Sequence, residues 1–366
     1  MNEVLLTQII AIATTVTLFI SLMFCPYRTP EFKSYNKSRR LFMVALIILT
    51  MQYVVNMHFH FRERSVVYGV TSNLFFYIPA SYIFMSGMLN LQRAGHLGKD
   101  KILLGIGTTV LSYALLTTGI FLKDGAYQTI FNIVCSIILF TNQTHFSVLL
   151  YKDYKHTKEK LDNFYAFPAE DHTQWMVHSN VLAIILFLMI PIVIFFTHAL
   201  SIFGILFWFA LIYYVACFSY FGNYVRLLED CYEEDSTPQN TIENEQPVSA
   251  TATNANAANT LQQRIEDWIK EEKYCDNDIT IMKLAAEMET NRTTLSLHIN
   301  SVIGVNFREW INTLRIGKAK TLIKANPRQS LEEVSSICGF TTRKYFDQVF
   351  TTYEGVTAAE WRKKNV

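Results

Sequence analysis

Two runs in this chain carry side chains suited to the edges of base pairs. In RTTLSLHIN, residues 292–300, a helix that buries Leu295 and Ile299 leaves Arg292, Thr293, Ser296 and His298 facing outward. In TTRKYFDQVF, residues 341–350, burial of Phe346 and Phe350 leaves Thr342, Arg343, Lys344 and Gln348 in the same position. Arginine grips guanine with two parallel hydrogen bonds, glutamine pairs with adenine, and threonine methyl groups pack on thymine. Each residue also has a plainer use, as a phosphate contact or a solvated side chain, and His298 suits a surface hydrogen bond equally well.

A third polar run is TNQTH, residues 141–145, set in an apolar stretch. Asn142 and His145 are three apart and share a helical face, with Gln143 beside them. Polar groups at such depth either hold neighbouring helices together or line a ligand pocket. No compact metal-ligand spacing accompanies them, the six cysteines form no C-x-x-C pair, and no metal or cofactor is expected.

The base-reading runs need rigid supports, and the neighbouring sequence supplies them. Thr280 is placed to cap IMKLAAEM, where Ile281, Leu284, Ala285 and Met288 form one apolar stripe; ETN then turns the chain into the first run. About fifty residues on, Ser330 and Glu333 suggest a capping box opening LEEVSSIC, with Leu331, Val334, Ile337 and Cys338 inward. Gly339 permits the turn and Phe340 plugs it. Two helix-turn-helix modules result. FREWINTLRIGKAKTLI, with Phe307, Ile311, Leu314, Leu322 and Ile323 as candidate core, joins them as one long helix. Leu261, Ile265, Trp268 and Ile269 mark an amphipathic helix leading in. Two modules on one stiff helix can enter successive major grooves, about 34 Å apart.

Residues 279–362 resemble the DNA-binding domain of the AraC/XylS family of bacterial transcription regulators. The resemblance rests on LA at 284–285, LS at 295–296, Gly304 with Phe307, LRIGKAKTLI at 314–323, SLEEV at 330–334, GF at 339–340, YF at 345–346, and Gly355-Val-Thr with a closing Trp361-Arg362. It covers less than a quarter of the chain. It implies double-stranded DNA at promoter sites as partner, and contact with RNA polymerase. The sequence departs from the family at Ala358, where proline is usual, and at Leu297, Asp347, Gln348, Thr351 and Thr352, where basic or serine residues often stand. From Ile279 onward there are thirteen Lys and Arg against eight Asp and Glu. So modest an excess weakens the sequence-independent attraction to phosphates, which makes a homodimer the expected working unit.

The rest of the chain is unlike a soluble regulator. Of 366 residues, 51% are hydrophobic, 14% aromatic and only 17% charged, and the net charge of +1 averages two unlike halves. Seven apolar stretches, near 4–24, 41–59, 66–91, 102–122, 127–150, 176–197 and 200–224, are each long enough to cross a bilayer as a helix. The first, third and fifth connections carry twelve Lys and Arg, whereas the opposite side has only Arg62, Arg64 and Lys123. The positive-inside rule therefore places the N-terminus outside and the C-terminal domain in the cytoplasm. The N-terminus lacks the basic segment of a cleaved signal peptide. Residues 227–260, polar and rich in Asn, Thr and Ala, read as a disordered tether.

The expected architecture is all-α: a seven-helix transmembrane bundle (1–226), a tether (227–260), and a soluble domain with two helix-turn-helix modules (261–366). The expected function is a non-enzymatic, sequence-specific regulator held in the inner membrane by a multi-pass anchor, with the bundle as sensor. The alternative is a transporter or other membrane protein carrying a regulatory module. Paired carboxylates, a nucleophile with its base and a Gly-rich phosphate loop are all missing from the apolar stretches.

Overall fold

The computed structural model describes residues 3–25, 32–122, 124–167, 174–219 and 252–366. These residues are helical throughout, and the one strand-like contact among them is an isolated bridge between Tyr165 and Thr280. The chain divides into two compact units: one of Met1–Thr157 with His172–Tyr232, the other of Lys158–Asp171 with Glu233–Val366. Residues 227–251 of the expected tether lie outside the described residues, but 252–260 do not. There the lead-in helix already runs, starting at Ala252 rather than Leu261.

The first unit contains α1 (Glu3–Met23), α2 (Lys33–Phe59), the single turn α3 (Phe61–Arg64), α4 (Val66–Gln92), α5 (Lys99–Leu122), most of α6 (Gly125–Phe164), α7 (Gln174–Val193) and α8 (Thr197–Ser219). Six of these, α1, α2, α4, α5, α6 and α8, are long and apolar enough to cross a membrane; the sixth expected span, α7, has a shorter apolar stretch, Val177–Val193. Large apolar side chains such as Leu103, Phe121, Ile137 and Phe209 face away from the bundle, the pattern of helices that meet an apolar solvent.

Small and polar residues hold the interior. The Gly87 position on α4 lies against the Phe42 ring of α2, leaving no room for a side chain. Ser38 donates to the Gly87 carbonyl at 2.8 Å, and Asn90 donates to Ser38 and to the Ser34 carbonyl at 2.9 and 3.0 Å. Between α4 and α6, Thr71 donates to Asn132 and accepts from Gln128, at 3.0 and 2.9 Å. Such bonds replace water for groups that an apolar surround would leave unsatisfied.

The second unit runs from the end of α6 to α9 (Ala252–Lys270), α10 (Ile281–Glu287), α11 (Arg292–His298), α12 (Phe307–Ala325), α13 (Leu331–Ile337), α14 (Arg343–Glu354) and α15 (Ala358–Asn365). Its starts are written in the cap residues. Thr280, Asn291, Ser330 and Thr342 each accept a backbone N–H three residues on, at 2.8–3.2 Å. The reciprocal half of the expected Ser330–Glu333 box does not form. Complete boxes close instead at Asn306–Glu309 and Thr357–Glu360. The latter fixes the start of α15 at Ala358.

The core of this unit forms around α12. Phe307, Ile311 and Ile323 are buried as expected, while Leu314 and Leu322 are only half-buried. Ile316 and Ala319 fill the space beside Val334, Phe346, Phe350 and Trp361. Ile337 corrects another expectation. It is 41% exposed, and Ser335 takes the buried position on α13. A seven-residue helix has room for one narrow apolar face, and Val334 and Cys338 already occupy it.

Candidate nucleic-acid interface

The two modules share one local geometry. In the first, α10 ends at Met288, Glu289 takes a left-handed conformation, and Asn291 caps α11. In the second, α13 ends at Cys338, Gly339 is left-handed, and Thr342 caps α14. The Thr290 N–H reaches back to the Ala285 carbonyl at 2.9 Å, and the Phe340 N–H to the Ser335 carbonyl at 3.1 Å. Both are the six-residue back-bond of a Schellman ending. The second turn is longer by one residue, with Phe340 and Thr341 where the first has only Thr290.

These turns expose the starts of α11 and α14. On α11, Thr293 is exposed and Arg292, Ser296 and His298 are half-exposed, while Leu295 and Ile299 are buried. On α14, Thr342, Lys344 and Gln348 are exposed and Arg343 is half-exposed, with Tyr345, Phe346, Val349 and Phe350 beneath. Seven of the eight candidate residues thus take exposed or half-exposed positions on α11 and α14, and Thr342 caps α14.

Several have partners within the protein. The His298 ring nitrogen Nε2 lies 2.9 Å from Gln262 Oε1, the plain surface bond the sequence allowed. Thr342 uses its hydroxyl as the α14 cap. Arg343 forks onto Asp347 with two 2.8 Å bonds and stands over the Phe346 ring at 5.3 Å. The Arg292 guanidinium stands over the Phe164 ring at 5.6 Å. Phe164 belongs to a short segment packed on this module. Tyr165 pairs with Thr280, the Ala166 N–H points to the Ile279 carbonyl at 3.4 Å, and Asp162 forms a largely buried ion pair with Arg308 at 2.8 Å, off the hydrogen-bonding direction.

The support between the modules includes an element that periodicity does not reveal. Arg315, on the buried side of α12, is fully enclosed; its Nε donates to the Tyr274 carbonyl at 2.9 Å and its Nη2 to the Asp276 carbonyl at 2.7 Å. Its guanidinium also stands 5.7 Å from the Phe340 ring. Burial pulls the Arg315 pKa down, and arginine's high intrinsic basicity keeps it charged. Asn312 donates to the Tyr345 hydroxyl at 2.8 Å, joining α12 to α14.

The TNQTH residues do not converge. The Gln143 side-chain amide is buried without a hydrogen-bond partner, Asn142 is half-buried and His145 is exposed. Asn142 and Gln143 border a void of about 10 Å³, the size of a single water site. The larger polar cluster of the first unit lies elsewhere, at Gln52, Asn56, Ser72 and Asn73. The spacing of Gln52 and Asn56, four apart in an apolar stretch, is the signal that marks it.

Two capped helices around a tight turn, occurring twice on one buried helix, define a paired helix-turn-helix domain. Residues 284–364 match the family model described as a helix-turn-helix domain, and the domain is of the AraC type. The curated relatives include the HTH-type transcriptional activator RhaR of Escherichia coli (strain K12) and the protein of that name from Shigella flexneri serotype 5b. Each is 25% identical over 146 residues, which cover 40% of this chain and 45% of the relative. The chain thus spans less than half the length of the curated relatives it matches. No solved structure matches it.

Proposed function

We propose that this chain is a membrane-anchored, sequence-specific transcription regulator that reads promoter DNA through α11 and α14. The observation that carries the reading is the repeated capped turn on α12, which presents Arg292 and Arg343 as the first helical residue of each outward helix. The similarity to HTH-type transcriptional activators favours the same activity. Six long apolar helices before the domain support an anchor in the inner membrane. The lysine and arginine bias of the connections favours a cytoplasmic C-terminus, where DNA and RNA polymerase are in reach. A homodimer doubles the contact with phosphates that one modestly basic copy makes.

Residues 252–366, expressed alone, test the reading directly. Selection from a random duplex library should yield a defined motif, with affinity falling along log salt by a slope of about −0.9 for each phosphate neutralised. A library that returns no motif removes the function. The topology is tested separately, by protease access to the C-terminal domain in intact and opened cells.

A further inference from the structure

The first unit has a partly open cavity of about 330 Å³, at the small end of the range that small-molecule sites occupy. Its walls come from α1, α2, α4, α7 and α8, and α3 closes one end. Phe84, Phe187, Phe207 and Leu211 make much of the lining apolar. The polar part is concentrated near α3, where Gln52, Asn56 and Asn73 form a bonded cluster and the Trp208 Nε1–H donates to Tyr53 at 3.1 Å.

Arg62 is the one arginine among the residues that line this cavity. It borders this cavity, and its Nη2 donates to the Ile194 carbonyl at 2.8 Å. Its Nε and Nη1 are shielded from water and have no acceptor. Among the described residues no carboxylate pairs with it. Glu63, next to it, also borders the cavity, but it leans 45% exposed toward His60 at 3.4 Å. A guanidinium with donors left unanswered is costly away from water, and an anion beside it offsets part of that cost. The buried Gln52 also keeps a carbonyl oxygen without a donor.

We infer that this cavity binds a small organic acid, its carboxylate held beside the Arg62 guanidinium and its apolar body lying along Phe84, Phe187 and Phe207. A hydroxyl or amide N–H on that body answers Gln52. The inference rests on the reading of the bundle as the regulator's input half, and it names the class of signal received. The connections around α3 lie at the end where the N-terminus starts, so by the charge bias the acid enters from outside the cell.

The test uses the full chain in lipid nanodiscs, without DNA. Octanoate, phenyllactate and N-acetylphenylalanine are titrated, each beside its neutral amide, with the unfolding midpoint and calorimetry as readouts. At least one acid should bind saturably, and its amide at least tenfold more weakly. Arg62→Gln should reduce that affinity at least tenfold, Arg62→Lys should retain part of it, and Glu63→Gln should leave it within twofold. The lysine variant separates lost recognition from lost folding. Absence of saturable binding by all three acids overturns the inference, as does equal binding of acid and amide or an unchanged Arg62→Gln affinity. Failure here alongside selective DNA binding by residues 252–366 strikes only the cavity. The converse pair of results strikes the regulator reading.

Discussion

The two helix-turn-helix modules bend the chain through the same left-handed position, one with a glutamate and the other with a glycine. At Glu289, φ is +52°, and the side chain is used: Arg264 bonds its carboxylate and the Met288 carbonyl, both at 2.6 Å. At Gly339, φ is +81°, and a β-carbon there would collide with the Cys275 carbonyl. A left-handed backbone is a moderate cost that many side chains bear; the close approach of a second backbone is what makes glycine obligatory.

The largest expected effect tests that difference. Gly339→Ala combines about 1–2 kcal/mol of backbone strain with about 1–3 kcal/mol of overpacking. Urea unfolding of residues 252–366 should therefore show a loss of about 2–5 kcal/mol. Glu289→Gly relieves strain but loosens the unfolded chain, and should move stability by no more than about 1 kcal/mol. Similar losses at the two positions would mean that the Cys275 backbone yields, and the contrast between the modules would disappear.

The same contrast shows what the amino-acid pattern reveals. Caps and apolar stripes are local, so Thr280, the Leu295/Ile299 stripe and the Phe346/Phe350 pair are legible from spacing alone. The collision at Gly339 involves a residue more than sixty positions away, and no period encodes it. Arg315 is similar. A cation on a mixed helix reads as solvated, whereas here two carbonyls of the 273–276 turn receive it. Ile337 errs the other way, because apolar character alone does not say which face a short helix has room to bury. In the apolar bundle, composition announces helices but not their rotation. His145 consequently turns outward, while Gln52 and Asn73 meet inside.

The outward helices differ in how their leading arginines are held, and this sets the next effects. Arg343 has its own anion one turn along, in Asp347, so reading a base requires breaking or sharing that fork. If it reads guanine, Arg343→Ala should cost about 1–3 kcal/mol and relax the preference at one base position. A uniform loss across sequences would make it a phosphate contact. Asp347→Asn removes the competing anion and one negative charge beside Arg343 on α14. Affinity should then rise about three- to tenfold, with the salt slope little changed, because no phosphate contact is added. Unchanged or weaker binding would mean that the fork orients Arg343 for DNA rather than withholding it.

Arg292 has no carboxylate one turn along; the residue at that spacing is Ser296. Its guanidinium stands instead over Phe164, which is itself 5% exposed. Such a pairing is worth about 0.5–1 kcal/mol at a partly exposed site. Phe164→Leu keeps most of the buried apolar volume and removes the ring face. In the full chain this should raise DNA affinity about two- to threefold, and Arg292→Ala should cancel the gain. If Phe164→Leu changes nothing while Asp347→Asn still strengthens binding, the first module is open to DNA as it stands, and self-restraint belongs to the second alone.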